Sequence, residues 1–533
     1  MQPVRPSLPA LAAMTRAGAS ARAWELFVAN GWDSRTDDPA ALSLKGRLLK
    51  DRARACSGAE QSSLFAAAAD AYAAAHALAP APYRAINAAT ARLLAGDPAG
   101  AAAGASVVLA LLDQAGPATD TAYYLAATRA EALLLLGDQT GAQRALAEAA
   151  AADPDGWEDR TVTLGQMREI LRVQAAEAPW LSRFAPPASL HFAGHMGILA
   201  GGSGEAALAQ ATDGLLAQYD VGFGWGALAA GSDIVIAERL VVLGAELHVV
   251  LPCPPQCFAD QSVAPAGGDW LKRYDRLLQQ AASLRVAGRS PATVHDPLAT
   301  AQAGILAIGG ALLNARRLGA ACLQMLVEDE AGGGPNTARQ AALWPAGTQG
   351  QERVRIARDA AVEALFRPEA PDPARRLMTL VAIGTDLPGT ATSSAVLAPL
   401  IDQVAGTIAA AALPAGAIRS GPGRWDLLLE DRDQALALVA ALLALPSGSP
   451  AIGVHQAIVT VIDDPASSTS VAYGPESDRA GELLAMAPTG TALASDALAV
   501  VLAVAPFAAL RSELYHLGDA ETGGPVHMLL PSA

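Results

Sequence analysis

Lysine is almost absent from this chain: three of its 37 basic residues are lysines (Lys45, Lys50 and Lys272), set against 52 Asp and Glu, for a net charge of −15. Such a balance leaves no basic surface of the kind that nucleic-acid phosphates require. Cysteine is scarce as well, and four in 533 residues cannot form a disulfide framework. Cys253 and Cys257 stand close together in CPPQC, but with no second Cys/His pair nearby two ligands do not make a zinc site. Long apolar runs are missing too. Residues 435–445 and 497–510 are the longest, and they fall short of the ~20 residues a membrane span needs. The opening MQPVRPSLPALAAMTRAGAS has arginine at both ends and prolines in or before its short apolar stretch, which makes a poor signal peptide. The apolar share is 52%, mostly alanine, a bias that points to a high-GC bacterial genome rather than to a function. The expectation is a soluble, acidic, cytoplasmic protein without nucleic-acid partners or a membrane span. At roughly 150 residues per domain, its length allows three to four domains.

What is present begins with repeats. Ala68, Tyr72, Ala75 and Pro80 have the same spacing as Ala142, Leu146, Ala149 and Pro154. In a helical hairpin small residues allow close approach, the larger one fills the gap, and proline stops the second helix. A second mark, GDPAGA at 96–101, returns as GDQTGA at 137–142, each time between two apolar helical stretches. These marks resemble tetratricopeptide repeats. With Trp24-Glu25-Leu26-Phe27 ahead of them, residues 15–180 also resemble the TRAFs-binding-type helical region of bacterial signalling proteins. That resemblance implies a protein partner held by the repeats.

The composition changes at PWLSRFAPP, residues 179–187. From there SLHFAG, YDVGFG, ELHVVLP and CLQMLV read as buried strands. Helical stretches at 205–218, 233–243, 270–285 and 299–318 lie between them. Alternation of this kind predicts an α/β domain, a Rossmann-like parallel sheet, over residues 188–330. Residues 331–374 read as a linker around one short helix. Over 375–530 the order strand, helix, strand, helix, strand predicts an α+β, ferredoxin-like domain.

The middle domain holds the most informative run, GWGALAAGSDIVIAERLVVLGAELHVVLP. A glycine loop that opens a helix offers backbone N–H groups and the positive dipole end to an anion. Gly226, Ala227 and Gly231 would allow close approach of a phosphate, and Ser232 or Asp233 could cap the helix. Glycine spacing alone fits a tight turn equally well. The run resembles the SLOG superfamily, related to the DprA and LOG proteins, at Gly226, Ala227, Gly231, Asp233, Ala237, Glu238, Gly244, Ala245 and Pro252, with Trp225 in place of one glycine. AGHM, which holds Gly194 and His195, and GGDW at 267–270 fit the version found after TRAFs-binding-like repeats. The resemblance implies a nucleotide or NAD-derived ligand, and in some relatives hydrolysis of an N-glycosidic bond. Glu238 would reach a ribose or act as a base, or else belong to a solvated helix face. His195 would face the ligand or serve the fold.

The last domain resembles class III nucleotidyl cyclases through Ile452-Gly453-Val454-His455, Tyr473-Gly474, Ser477-Asp478-Arg479-Ala480 and Thr489-Gly490 with Ser495. That chemistry needs two carboxylates for two metal ions, and an Asn and an Arg for the transition state. The corresponding positions carry Ile383, Gly423, Asp478 and Glu482, although Asp386 and Asp426 lie within three residues of the first two. The resemblance therefore implies a degenerate cyclase domain without catalytic or metal-ligating residues, serving as a dimerisation or sensor module. The leading expectation is a bacterial signalling protein, with a working adenylate cyclase, a SLOG-type nucleoside or NAD hydrolase, and an inert scaffold as rivals.

Overall fold

Aspartate and proline set most helix starts in the first third of the chain. The computed structural model describes residues 7–114, 120–288, 296–330, 332–345, 350–363, 372–385, 394–421, 423–445, 450–465, 468–518 and 524–532. It divides into two units, residues 4–186 and 187–533. The first contains helices α1 (Leu8–Arg16), α2 (Ser20–Ala29), α3 (Pro39–Arg54), α4 (Gly58–Leu78), α5 (Pro82–Ala95), α6 (Pro98–Leu112), α7 (Ala122–Leu135), α8 (Gln139–Ala152) and α9 (Trp157–Val173). Both expected turns are built alike. Gly96 and Gly137 take the left-handed conformation, then Asp97 and Asp138 each accept the N–H three residues on, from Gly100 and Gly141, at 2.8 Å. The glycine there is forced: a Cβ on Gly100 would stand 2.0 Å from the Asp97 carboxylate. The repeated spacing also holds in three dimensions. Ala68, Tyr72 and Ala75 of α4 and Ala142, Leu146 and Ala149 of α8 are all buried, and Tyr72 lies against Gly46 of α3.

The second unit opens with a parallel sheet. Its strands are β1 (Ala188–Gly194), β2 (Val221–Gly226), β3 (Glu246–Leu251), β4 (Ser283–Val286), β5 (Cys322–Glu328) and β6 (Gly350–Arg355), in the order β4-β3-β2-β1-β5-β6. Helices α10 (Ser203–Tyr219), α11 (Ser232–Leu243), α12 (Pro255–Ser262) and α13 (Trp270–Gln280) bury their apolar sides on one face, with Leu190, Phe192, Leu323 and Met325. The other face carries α14 (Pro297–Leu318) and α15 (Pro335–Leu343). Two expectations change here. The helix expected to reach residue 285 ends at Gln280, because Ala281 turns extended and the chain pairs beside β3 as β4. The expected linker 331–374 contributes α15 and the sixth strand. Its QERVR run, set between Gly- and Pro-rich stretches, pairs with β5 from Gln324 to Glu328.

A single turn, α16 (Ala360–Glu363), precedes the second sheet. Its elements are β7 (Arg375–Gly384), α17 (Ser394–Ala410), β8 (Ile418–Gly421), β9 (Arg424–Leu429), α18 (Arg432–Leu443), β10 (Ala451–Asp464), β11 (Thr469–Tyr473), α19 (Arg479–Met486), β12 (Ala492–Ser495), α20 (Asp496–Val504), β13 (Leu510–His516) and β14 (Val526–Pro531). The sheet is mixed: β10 and β12 run parallel and the other pairs antiparallel. Helices α17, α18 and α20 cover one face, and α19 packs on the other through Ala480 and Leu484.

The two sheets, expected as separate domains, form one unit. Gly309 explains how: a Cβ there would stand 2.2 Å from Val500 O, so α14 and α20 meet backbone to backbone. Arg285 of β4 pairs with Asp496, which also holds His527 at 2.9 Å. Arg375 pairs with Asp296 at 2.5 Å, and Arg316 donates to Ser512 O at 2.8 Å. Helix α14 is the one helix among the described residues long and apolar enough to cross a membrane. Its apolar surface is used here against β1, β2, β3 and α20.

Candidate functional site

In an open parallel sheet ligands sit at the carboxyl ends of the strands, where the order of connection reverses. Here that place lies between β1 and β5, with the β2–α11 loop beside it. Strand β2 delivers Gly226, and residues 227–231 lead into α11. Trp225, which departs from the expected glycine, points to α14. Its indole stacks on His248 at 4.3 Å and fills the notch left by Gly310. The neighbouring Gly226 is required by the core, since a Cβ would meet Phe192 at 2.3 Å. Ala227 is half-buried at the start of the loop.

Gly194, His195, Gly231, Ser232 and Asp233 come together. A Cβ on Gly194 would lie 2.5 Å from Ser232 Cβ, so the end of β1 and the start of α11 nearly touch. Gly231 has φ of 97°, and a Cβ there would stand 3.0 Å from Met196 O. Its backbone demand is therefore structural before it concerns any ligand. Neither expected cap operates as a cap. The Ser232 hydroxyl donates to His195 O at 2.7 Å, and the Asp233 carboxylate turns back to accept the Ala229 N–H at 3.3 Å. The position before the helix is Gly231, with no side-chain cap.

Asp233 is the unusual group of this cluster. It is 7% exposed, and its Oδ1 forms no hydrogen bond of normal geometry among the described residues. Burial raises its pKa to about 7, against the opposing pull of the Ala229 and Gly194 N–H groups. His195 is buried, and its Nε2–H donates to Ile356 O at 3.0 Å. The segment after β6 therefore lies across the loop after β1: Asp359 N–H donates to Gly197 O at 2.8 Å, and Arg358 pairs with Asp329 at 3.0 Å. Sequence reasoning missed this covering segment because it read the stretch as linker.

Glu238 is not brought to the cluster. Its carboxylate is held by Arg273, at 3.0 Å to Nε, and by Arg276, both from α13. Arg273 also pairs with Glu205 at 2.8 Å. Five residues beyond Asp233 on a 3.6-residue helix, Glu238 lies on another face and ties α11 to α13. It forms a partly buried ion-pair network, neither a free base nor a solvated face.

The mixed sheet has a cleft of about 480 Å³ on its α19 side, lined by Arg419, Arg424, Asp426, Ser470, Asp478 and Glu482, among others. Ile383 is absent from it, being fully buried in the core on the opposite face. Gly423 sits at the β8–β9 turn with φ of 68°. Asp386 falls outside the described residues. Asp426 accepts Arg424 Nη2 at 2.8 Å, and Glu482 accepts Arg479 at 2.8 Å. Thus Asp426, the described carboxylate near an expected metal position, already faces a guanidinium. Ser495, His455 and Glu476 resemble a nucleophilic triad by residue type, with His455 Nδ1 2.7 Å from Ser495 Oγ and Nε2 3.2 Å from Glu476. However, Ser495 is buried and caps α20 by accepting the Leu498 N–H, so no substrate reaches its hydroxyl.

Residues 9–92 match the Tetratricopeptide Repeats-Sensor family. No curated protein matches the chain. Among solved structures, an adenylate cyclase of Trypanosoma brucei in its monomeric state is 13% identical, over 30% of this chain and 91% of that one, with a TM-score of 0.25. The adenylyl cyclase CyaB of P. aeruginosa is 14% identical over 30% and 96%, with a TM-score of 0.24. An O-GlcNAc transferase mutant of Thermobaculum terrenum is 13% identical over 60% and 58%, with a TM-score of 0.19.

Proposed function

We propose that this chain is a bacterial, cytoplasmic signalling protein whose parallel-sheet lobe, Rossmann-like and SLOG-type, binds a nucleotide-derived ligand at the loop 226–233. The observation that carries this reading is the cluster at the ends of β1 and β2. There a strand, a glycine loop and a 12-residue helix converge on Asp233, a buried carboxyl whose Oδ1 has no hydrogen bond of normal geometry among the described residues. Buried polar groups in native proteins are satisfied, and a ligand that reorders the loop supplies the missing partner. The repeats of residues 4–186 would hold a protein partner. The mixed-sheet lobe would be a ferredoxin-like, cyclase-type module that has lost its chemistry and supports a homodimer. The pairing of Asp426 with Arg424 supports that loss, because a carboxylate neutralised by a guanidinium is a poor metal ligand.

Calorimetric titration of the full chain with NAD, ADP-ribose, ATP and cyclic nucleotides tests the ligand reading. Ala227→Asp should weaken binding markedly by placing a second carboxylate in the loop. If the wild type binds none of these compounds, the reading is wrong. A second reading, hydrolysis of an N-glycosidic bond, is favoured by the raised pKa of Asp233, which suits an acid–base group near neutral pH. Chromatography of the same mixtures for free base or nicotinamide separates the two.

A further inference from the structure

The carboxylate of Asp233 engages backbone donors of the glycine loop and of the end of β1. Its Oδ2 takes the Ala229 N–H at 3.3 Å, and the Gly194 N–H also favours its charged form. Backbone donors at a glycine loop and a helix N-terminus are what bind ligand phosphates. In this loop a side chain of the same chain uses them. Around Asp233 the end of β1 contributes Gly194 and His195, and residues 227–231 contribute only apolar side chains and glycine. His195 is the titratable neighbour, with Nε2 engaged by Ile356 O. On α11 itself Glu238 is consumed by Arg273 and Arg276. Among the described residues no charged side chain contributes to the shift at Asp233, and Arg358 of the covering segment is paired with Asp329 at 3.0 Å.

We infer that Asp233 is an internal counter-anion of the loop, so that a ligand phosphate and the ionised Asp233 exclude each other and an anionic ligand binds with uptake of a proton by this residue. The inference rests on the ligand reading above and adds what that reading lacks: which residue sets preference for charge at the site. Two negative groups sharing one set of donors in a buried place repel strongly, whereas a neutral carboxyl can turn away or donate a hydrogen bond to the phosphate. Ligands that present hydroxyl or amide N–H groups to the loop escape this competition. Asp233 thus separates anionic from neutral ligands, and the separation widens as pH rises.

The test uses the full chain and ADP-ribose, whose pyrophosphate keeps a constant charge between pH 6 and 8. A ligand bound only by the protonated form loses about tenfold in affinity across that range when the competing group titrates near its middle. Wild type should show this loss. Asp233→Asn, which keeps the shape and removes the charge, should bind with one affinity at both pH values and more tightly than wild type at pH 8. Asp233→Ala serves as the second variant should the amide distort the loop, and it should be equally insensitive to pH. A flat wild-type profile, or the same slope in both variants, overturns the inference and leaves the ligand reading standing. Absence of binding by all three proteins overturns both.

Discussion

The crevice of the parallel sheet and the cleft of the mixed sheet both hold carboxylates, yet they treat them differently. In the cleft Asp426 and Glu482 have guanidinium partners at 2.8 Å, and the groups are partly in water. Such pairs cost little to form and leave no unmet demand. In the crevice Asp233 is buried, and among the described residues it has no cationic partner and one oxygen without a hydrogen bond of normal geometry. A satisfied charge needs no ligand, whereas an unsatisfied one marks a place where the fold has kept a polar group at a cost. That difference, more than the size of either hollow, makes the crevice the better candidate for a site.

Gly231 is the residue on which the crevice depends most. Gly231→Val combines a positive φ with a Cβ 3.0 Å from Met196 O. It should destabilise the unit of residues 187–533 by about 3 kcal/mol or more, measured by thermal unfolding. A variant of wild-type stability would show that the crevice is not held together as described.

Titration gives the next largest effect, and its sign differs between groups. Asp233 takes up a proton at about 7 when folded and at its ordinary 3.8 when unfolded. Between those values the folded state binds more protons, so its contribution falls as pH rises from 4 to 7, by up to about 4 kcal/mol. Burial moves His191 the other way, down to about 3, and His527 to about 4. Their unfolded forms take protons first, so stability also falls as pH drops from about 6.5 toward 4. Unfolding midpoints at pH 4, 5.5 and 8 for wild type and Asp233→Asn should lie nearest each other at pH 4 and draw apart progressively up to about pH 7, with the variant higher at pH 8.

The cleft is probed by chemistry. With Mn²⁺ or Mg²⁺ the purified chain should form neither cyclic AMP nor cyclic GMP, and Arg424→Ala, which frees Asp426, should not restore it. Turnover that Asp426→Ala abolishes would revive the cyclase reading. The smallest effects lie in the repeats. Asp97→Ala and Asp138→Ala each remove one cap of a helix start and should cost about 1 kcal/mol, equally, as the matched 2.8 Å bonds require. Circular dichroism of residues 4–186 should remain almost wholly helical in both.

Much of this was legible in the sequence because it depends on neighbours along the chain. The GDPAGA and GDQTGA turns, the apolar runs of β1, β2, β3 and β5, and the glycine loop ahead of α11 are set by backbone conformation and period within a dozen residues. The repeat spacing at Ala68 and Ala142 held for the same reason. What tertiary structure alone decided is long-range. QERVR becomes a strand because β5 offers it an edge, and Glu238 turns from a candidate base into a clasp because α13 brings Arg273 and Arg276 to it. Trp225 replaces a glycine because Gly310, 85 positions away, makes room. Asp233 is unusual because the end of β1 closes over it and no cation follows. Local sequence fixes dihedrals and period, but burial and the Arg273 and Arg276 clasp on Glu238 belong to contacts between distant segments, and burial of this kind sets the shifted titration of Asp233.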